Sequence, residues 1–354
     1  MTTLYVTEPR SLVKKDGETL LVSIPANAEK GTPPRSVRVP LVKVDQVVIY
    51  GDSTLTSPAL AALLQQRVEV CFLSATGRFY GRLAPAFSKN SLVRLAQHRA
   101  HADPRRSMAL ARQFVVGKLS NMRTLLLRSN RKLDDPEVAD AAATLKGAAE
   151  KAAALESDGA PPPDPGRPQA GTAWGTLQGL EGAGSARYFG VLAKLLRDPL
   201  GFDGRNRRPP RDPVNALLSF GYVLLMHQCS AAAQLVGLDP YVAYLHSSQY
   251  GKPALALDLM EEFRPVVVDS VVLTLLNNRI LQATDFVEEM GSYRLQDDPR
   301  RTFLVKFEER LNTEIAHPVF EYKTTYRHCL ELQARLLGKV LLGEVQDYAP
   351  FVVR

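Results

Sequence analysis

The spacing of apolar residues changes once along the 354 residues, near Pro85, and that change limits the architectures open to the chain. Before it, short β-branched or alternating runs recur at Leu4–Thr7, Ser11–Lys14, Thr19–Ile24, Ser36–Val39, Gln46–Tyr50, Val68–Leu73 and Arg78–Leu83, with turn residues between them. Runs of period two bury a face only when strands pair, so residues 1–87 are expected to form an all-β module. Asp16-Gly17 signals a hairpin with a type I′ turn, since glycine supplies positive φ freely, and Glu29 to Pro34 reads as a loop. Only Ser57–Gln66 has helical spacing, with Leu60, Leu63 and Leu64 on one side and Ser57-Pro58 as cap and first residue. Acids, histidines and cysteines do not cluster here, so chemistry is expected elsewhere, and the strand edges suit self-association.

After Pro85 the period becomes about 3.6 and stays there. Ser91–His101 is amphipathic, Asp103-Pro104 starts a longer helix through about Leu127, Glu137 to Glu156 is alanine-rich, a segment restarts at Thr172, and Ala216–Val236 is long and apolar. The expected fold class is therefore α+β: an N-terminal all-β domain, 1–87, followed by a larger all-α C-terminal catalytic domain, 88–354. A Pro-rich stretch at about 157–170 reads as a flexible insert.

Lysine and arginine outnumber aspartate and glutamate 44 to 37, a net charge of +7 that favours a polyanionic partner, nucleic acid first. Arg94, Arg99, Arg105, Arg106, Arg112, Lys118, Arg123, Arg128, Arg131 and Lys132 concentrate that charge on the first long helices, as a DNA-backbone surface or as an ordinary solvated face. Cys71, Cys229 and Cys329 form no Cys-x-x-Cys pair, which argues against a zinc ribbon or a disulfide framework. The N-terminus has no apolar signal core and no uninterrupted apolar run approaches the ~18 residues of a membrane span, so a cytoplasmic location without a membrane is expected.

Potential metal ligands are densest between His246 and Pro265. Lys252-Pro253 starts a helix with Pro253 at its first position, and Asp258, Glu261 and Glu262 at i, i+3 and i+4 put three carboxylates on one side of about one turn. Leu255, Leu259, Met260 and Phe263 can face a core. Crowded acids repel one another unless a cation neutralises them, and His246, on a Gly-containing loop just upstream, can fold back over the helix. Oxygen ligands with one imidazole suit Mg²⁺ or Mn²⁺, although a solvated acidic face has the same appearance and a further ligand is needed to decide. Glu181 supplies a carboxylate within Leu180–Gly190, where Gly182 and Gly184 permit close approach or act as caps, and Arg187 and Tyr188 follow. The arginine-rich loop from Asn206 to Asn215 suggests phosphate binding.

Leu-Glu-Gly-x-Gly-x-Ala-x-Tyr-Phe at 180–189, Asn-Arg-Arg-Pro-Pro-x-Asp-Pro-Val-Asn-Ala-Leu-Leu-Ser-Phe-Gly-Tyr at 206–222 and Leu-His-Ser-x-Gln-Tyr-Gly-Lys-Pro through Glu-Glu-Phe-Arg-Pro at 245–265 occur in this order, with Tyr348-Ala-Pro-Phe near the end. Together they resemble the CRISPR-associated spacer-acquisition endonuclease/integrase family. The resemblance implies a homodimeric, metal-dependent enzyme of antiviral defence, inserting short foreign DNA fragments into a CRISPR array by 3′-OH attack on a phosphodiester. It implies double-stranded DNA as substrate, both spacer precursor and repeat, a small CRISPR adaptation companion protein forming a heterohexamer, and an accessory exonuclease. It assigns Mg²⁺ or Mn²⁺ to Glu181, His246 and Glu261, makes Asp258 a supporting group or a ligand to a second ion, and lets Asn215 and Tyr188 line the site. Arg187, Arg207, Arg208, Lys252 and Arg264, the basic residues of these stretches, are the expected DNA contacts. Two rival readings are a non-catalytic DNA-binding scaffold of a repair or recombination complex, which needs no such ligand set, and a His-Asp phosphohydrolase, which needs a His-Asp dipeptide that the chain lacks.

Overall fold

The computed structural model describes residues 3–27, 31–75, 79–86, 89–161, 171–206, 209–247 and 249–353. The chain falls into two compact units, 1–87 and 88–354. In the first, eight strands follow in order: β1 Thr3–Val6, β2 Leu12–Asp16, β3 Thr19–Ile24, β4 Arg35–Pro40, β5 Gln46–Tyr50, β6 Thr54–Leu55, β7 Glu69–Leu73 and β8 Phe79–Leu83, with helix α1, Ser57–Gln65, before β7. They form two four-stranded sheets, β1-β5-β7-β8 and β4-β3-β2-β6. Val13, Leu20, Val47, Ile49, Leu63 and Val70 are the centre of one apolar core between the sheets and α1. The alternation is satisfied by one-sided burial in β3, whereas β5 and most of β7 are buried on both faces.

Three details of this unit differ from the sequence reading. Asp16 pairs with Thr19, so the turn's central residues are Gly17 and Glu18. Positive φ occurs at Gly17 and not at Glu18, which excludes a type I′ turn, since that type needs it at both positions. Thr56, not Ser57, is the N-cap of α1, with Pro58 in its first turn. The two-residue β6 was not foreseen; it is too short to carry a period.

Among the described residues of the second unit, nine α-helices and four strands follow, in the order α2 Ser91–Ala102, α3 Pro104–Leu133, α4 Pro136–Ala153, α5 Ala173–Leu192, α6 Pro213–Val236, α7 Ala254–Glu261, α8 Ser270–Asn277, β9 Phe286–Glu289, β10 Ser292–Leu295, α9 Asp297–Leu311, β11 Glu314–Ala316, β12 Lys323–Thr325 and α10 Tyr326–Leu342. Hairpins β9-β10 and β11-β12 show that this unit is not all-α. Helix starts follow side-chain capping: Asp103, Asp135 and Asp212 each accept backbone N–H bonds ahead of a proline, and Thr172 caps α5. α6 is long and apolar enough to cross a membrane by length and composition, but most of it is buried inside this unit. Residues 162–170 of the Pro-rich insert, and Arg207 and Arg208, lie outside the described residues.

The C-terminal segment is tied across α3 and the end of α7. Asn121 on α3 donates to the carbonyls of Glu262 and Phe351 at 2.7 Å each and accepts from Val353 N–H at 2.9 Å. The buried Glu262 carboxylate accepts from Tyr348 hydroxyl, Phe351 N–H and Gln333. Gly117 makes room for this carboxylate, because a Cβ there would stand 2.9 Å from Glu262 Cγ. Burial raises the Glu262 pKa from 4.5 to about 7, against the opposing pull of Phe351, Tyr348 and Gln333. A raised folded-state pKa stabilises the protein below 4.5 and loses that contribution as pH climbs through about 7. Glu262→Gln removes the titration, so its unfolding free energy, measured by urea denaturation across this range, should fall less steeply than wild type by on the order of 3 kcal/mol. Parallel profiles would show that Glu262 does not titrate in this window.

Candidate metal centre

Helices α3, α5 and α7 bring four charged groups to one place. α3 packs on both α5 and α7. Its Lys118 is 2% exposed and its ammonium pairs with Glu181 of α5 and, at 2.9 Å, with Glu261 Oε2 of α7. The close approach of α5 to α3 depends on Gly184, where a Cβ would lie 2.5 Å from Leu119 Cδ2; Gly182 faces open space, so only the second glycine has the role expected of both. Glu181 also accepts from Ser185 one turn on, at 3.0 Å.

The neighbouring acids of α7 have three separate fates. Asp258 is fully buried and accepts the backbone N–H groups of Tyr244, Leu245 and His246 at 2.7–3.0 Å. Its Oδ1 also lies 2.8 Å from His246 Nδ1, which donates to it. This leaves His246 Nε2 facing Glu261 Oε1 at 3.6 Å. A carboxylate with all these donors is a positioning group for the imidazole, in the manner of carboxylate–histidine pairs beside metals. Glu262 does not share the side of Glu261: one residue on, with helical φ and ψ still, its carboxylate points to the C-terminal tie. Pro253, expected at the first helical position, is instead the N-cap.

Glu261 itself is 2% exposed and held by cations: Arg264 at 3.2 Å, Lys118, and the imidazole edge. Burial alone would raise its pKa, but Arg264, then Lys118 and His246, hold it well below the usual carboxylate range. Behind it, the π-helical stretch Arg264–Asp269 presents Asp269 to the hydroxyls of Tyr188 and Tyr222, at 2.8 and 2.6 Å. Burial and then the Asp269 charge push both phenols well above their ordinary pKa, so they remain donors. Arg264 lies over the Tyr222 ring, 5.0 Å from its centroid.

The expected site residues therefore divide. Glu181, His246, Glu261 and Asp258 are brought together. Tyr188 is fully buried one layer behind, as a support for Asp269. Asn215 is buried too, and organises the 204–212 loop through Gly204, Asn206, Asp212 and Arg205. Arg264 is mostly buried in the ion cluster, Arg187 pairs with Asp140 on α4 at 2.6 Å, and Lys252 is partly exposed on the loop before α7. Lys118, counted with the basic surface, points inward. The signal was in its spacing: Phe114, Val115, Leu119 and Met122 stand at i−4, i−3, i+1 and i+4 from it, so it lies on the apolar side of α3.

Among the described residues, no three His, Cys, Asp or Glu converge closely enough to ligate an ion as they stand. The donor set still fits a divalent cation. An ammonium already occupies the space between the two carboxylates, and Glu261 Oε2 is buried without a hydrogen-bond donor, since Lys118 approaches it off the bonding direction. Glu181, Glu261 and His246 Nε2 would hold the ion, with hard oxygens and one nitrogen suited to Mg²⁺ or Mn²⁺.

A strand-rich N-terminal region before a larger helical one is a fold shared with solved structures. A casposase bound to its integration product has a TM-score of 0.83 at 23% identity, covering 100% of this chain and 95% of that one. A chain of a Cas6-RT-Cas1–Cas2 complex has a TM-score of 0.74 at 24% identity, covering 99% of this chain and 36% of that one. The family described as CRISPR associated protein Cas1 matches residues 4–309. A CRISPR-associated endonuclease Cas1 of Thermus thermophilus is 40% identical over 99% of this chain and 97% of its own length. A CRISPR-associated exonuclease Cas4/endonuclease Cas1 fusion of Geobacter sulfurreducens is 38% identical over 99% of this chain and 60% of its length. The chain belongs to the Cas1 family.

Gly184→Ala tests how the site is built. The added methyl should force α5 off α3 and cost about 1–3 kcal/mol in chemical denaturation. Leu119→Ala in the same protein should recover part of that loss; strictly additive effects would mean that the two helices do not meet at these residues.

Proposed function

We propose that this chain is a divalent-metal-dependent DNA endonuclease and integrase that inserts short foreign DNA fragments into a CRISPR array. The observation that supports the reading is that Glu181 and Glu261, from separate helices, share one cation, the Lys118 ammonium, while His246 Nε2 lies 3.6 Å from the other oxygen of Glu261. A bound divalent ion would polarise a phosphate oxygen and favour deprotonation of an attacking hydroxyl, stabilising charge that develops in the transition state. The protein's own groups do the rest. Asp258 fixes the imidazole by its Nδ1–H, Arg264 keeps Glu261 charged, and Tyr188 and Tyr222 hold Asp269 behind the arginine. With water as nucleophile the outcome is cleavage; with a DNA 3′-OH one phosphodiester replaces another.

Double-stranded DNA is the proposed substrate, as spacer precursor and as repeat. Exposed Arg99, Arg105, Arg128, Arg131 and Lys132 on α2 and α3 support backbone contact. The strand-rich unit supports homodimerisation, since edge strand β4 is almost wholly exposed and Val42 and Tyr80 stand 86% and 68% exposed beside the edges. The names of proteins fused to Cas4 or solved with Cas2 support a companion protein and an accessory exonuclease; a heterohexamer with the companion is part of the proposal. We place this activity in the cytoplasm, where the array is.

The test is strand transfer of a 3′-OH oligonucleotide into a repeat-bearing plasmid, with Mg²⁺, Mn²⁺ or Ca²⁺. Glu181→Gln, His246→Ala and Glu261→Gln should each lower transfer and nicking at least about a hundredfold while circular dichroism and DNA affinity stay near wild type. Mn²⁺ should serve at least as well as Mg²⁺, and Ca²⁺ poorly. Undiminished transfer by His246→Ala in Mg²⁺ would remove this histidine from the site and leave the acidic helix a structural feature.

A further inference from the structure

Lys118 is a buried cation placed where the proposed function requires a different one. Its side chain is 2% exposed, Glu261 is equally buried, and Glu181 is 28% exposed, so water screens their charges poorly. The two carboxylates come from separate helices and share this one ammonium. Without any cation between them they would repel each other across a nearly dry space, and α5 and α7 would be driven apart. Arg264 offsets only the Oε1 side of Glu261. On the opposite side, Oε2 has the Lys118 charge nearby without a hydrogen bond, a contact that neutralises but does not saturate the oxygen.

We propose that Lys118 is a resident placeholder for the divalent ion: its ammonium holds the two ligand carboxylates charged and in position while no ion is bound, and ion and ammonium compete for the same oxygens. The inference rests on the metal reading above. The protein then keeps its fold without an ion, at the expense of a weakened affinity for one, and Lys118 must swing aside when the ion enters. Lys118 is a positioning residue in this account, and its effect is read on metal binding, not on turnover.

The experiment is titration of Mn²⁺ into chelator-stripped protein by calorimetry, with thermal unfolding in EDTA and in Mn²⁺ alongside. Lys118→Met, and Lys118→Gln, which keeps a hydrogen-bond donor for the carboxylates, should both bind Mn²⁺ about tenfold or more tightly than wild type. Adding Glu181→Gln to Lys118→Met should remove that gain. The Tm of wild type should depend little on Mn²⁺, whereas the Lys118 variants should be weakened in EDTA and restored by the ion. If wild type binds Mn²⁺ and the Lys118 variants bind it no better, Lys118 is a plain structural ion pair and the inference falls, while the metal reading stands. If no protein in the series binds Mn²⁺, the metal reading falls and takes the inference with it. Binding by the variants alone supports the placeholder. Should both variants be unfolded in EDTA, recovery of the fold on adding Mn²⁺ supports it and failure to recover overturns it.

Discussion

Glu261 is a charged carboxylate in a place that water hardly reaches, and the second unit is arranged to bring cations to it. Three routes converge: two cations, Arg264 from the turn that follows on the same segment and Lys118 from α3, and a ring nitrogen of His246 from the loop before α7. Burial of one unpaired charge would cost several kcal/mol, so each route has to be held in place by its own contacts. Gly184 lets α5 lie close enough to α3 for Glu181 to join the cluster, and Gly117 leaves space for the Glu262 side chain beside the same stretch of α3. Packing and electrostatics are thus one constraint here: moving either helix pair by the width of a methyl group changes which charges meet.

Three acids within five residues do three different jobs because each meets a different neighbour around the same helical segment. Asp258 points at the loop and gathers its N–H groups, which fixes the imidazole. Glu261 points at the ion cluster. Glu262, past the end of α7, points at Tyr348, Gln333 and Phe351 and ties the C-terminal segment down. The stacked Phe263 and Phe351 rings, 4.7 Å between centroids, close that tie. The π-helical turn that follows then swings Asp269 under the two tyrosines.

Much of this was legible in the sequence, for identifiable reasons. β3 and β5 were bounded correctly because alternation and turn residues coincide there, and Asp103 announced its helix by capping chemistry. Glu181, His246 and Glu261 could be named because their motifs keep a fixed order. Lys118 was misread because a charge tally counts residue types, and only its place among Phe114, Val115 and Met122 shows the inward direction. Glu262 was misread because residues one apart on a helix diverge by about 100°, and spacing alone does not show that Tyr348, Gln333 and Phe351 wait on that side. The hairpins β9-β10 and β11-β12, with strands of three or four residues, are too short to display a period.

One position between Glu181 and Glu261 is filled by the Lys118 ammonium, and the proposal is that a divalent ion takes its place there. Crystals soaked in Mn²⁺ and measured at the manganese absorption edge test it most directly. The account predicts one anomalous peak bounded by Glu181, Glu261 and His246 Nε2, with Lys118 displaced from its place between the carboxylates. A peak elsewhere, or density in which Lys118 still bridges Glu181 and Glu261 at saturating Mn²⁺, would contradict it.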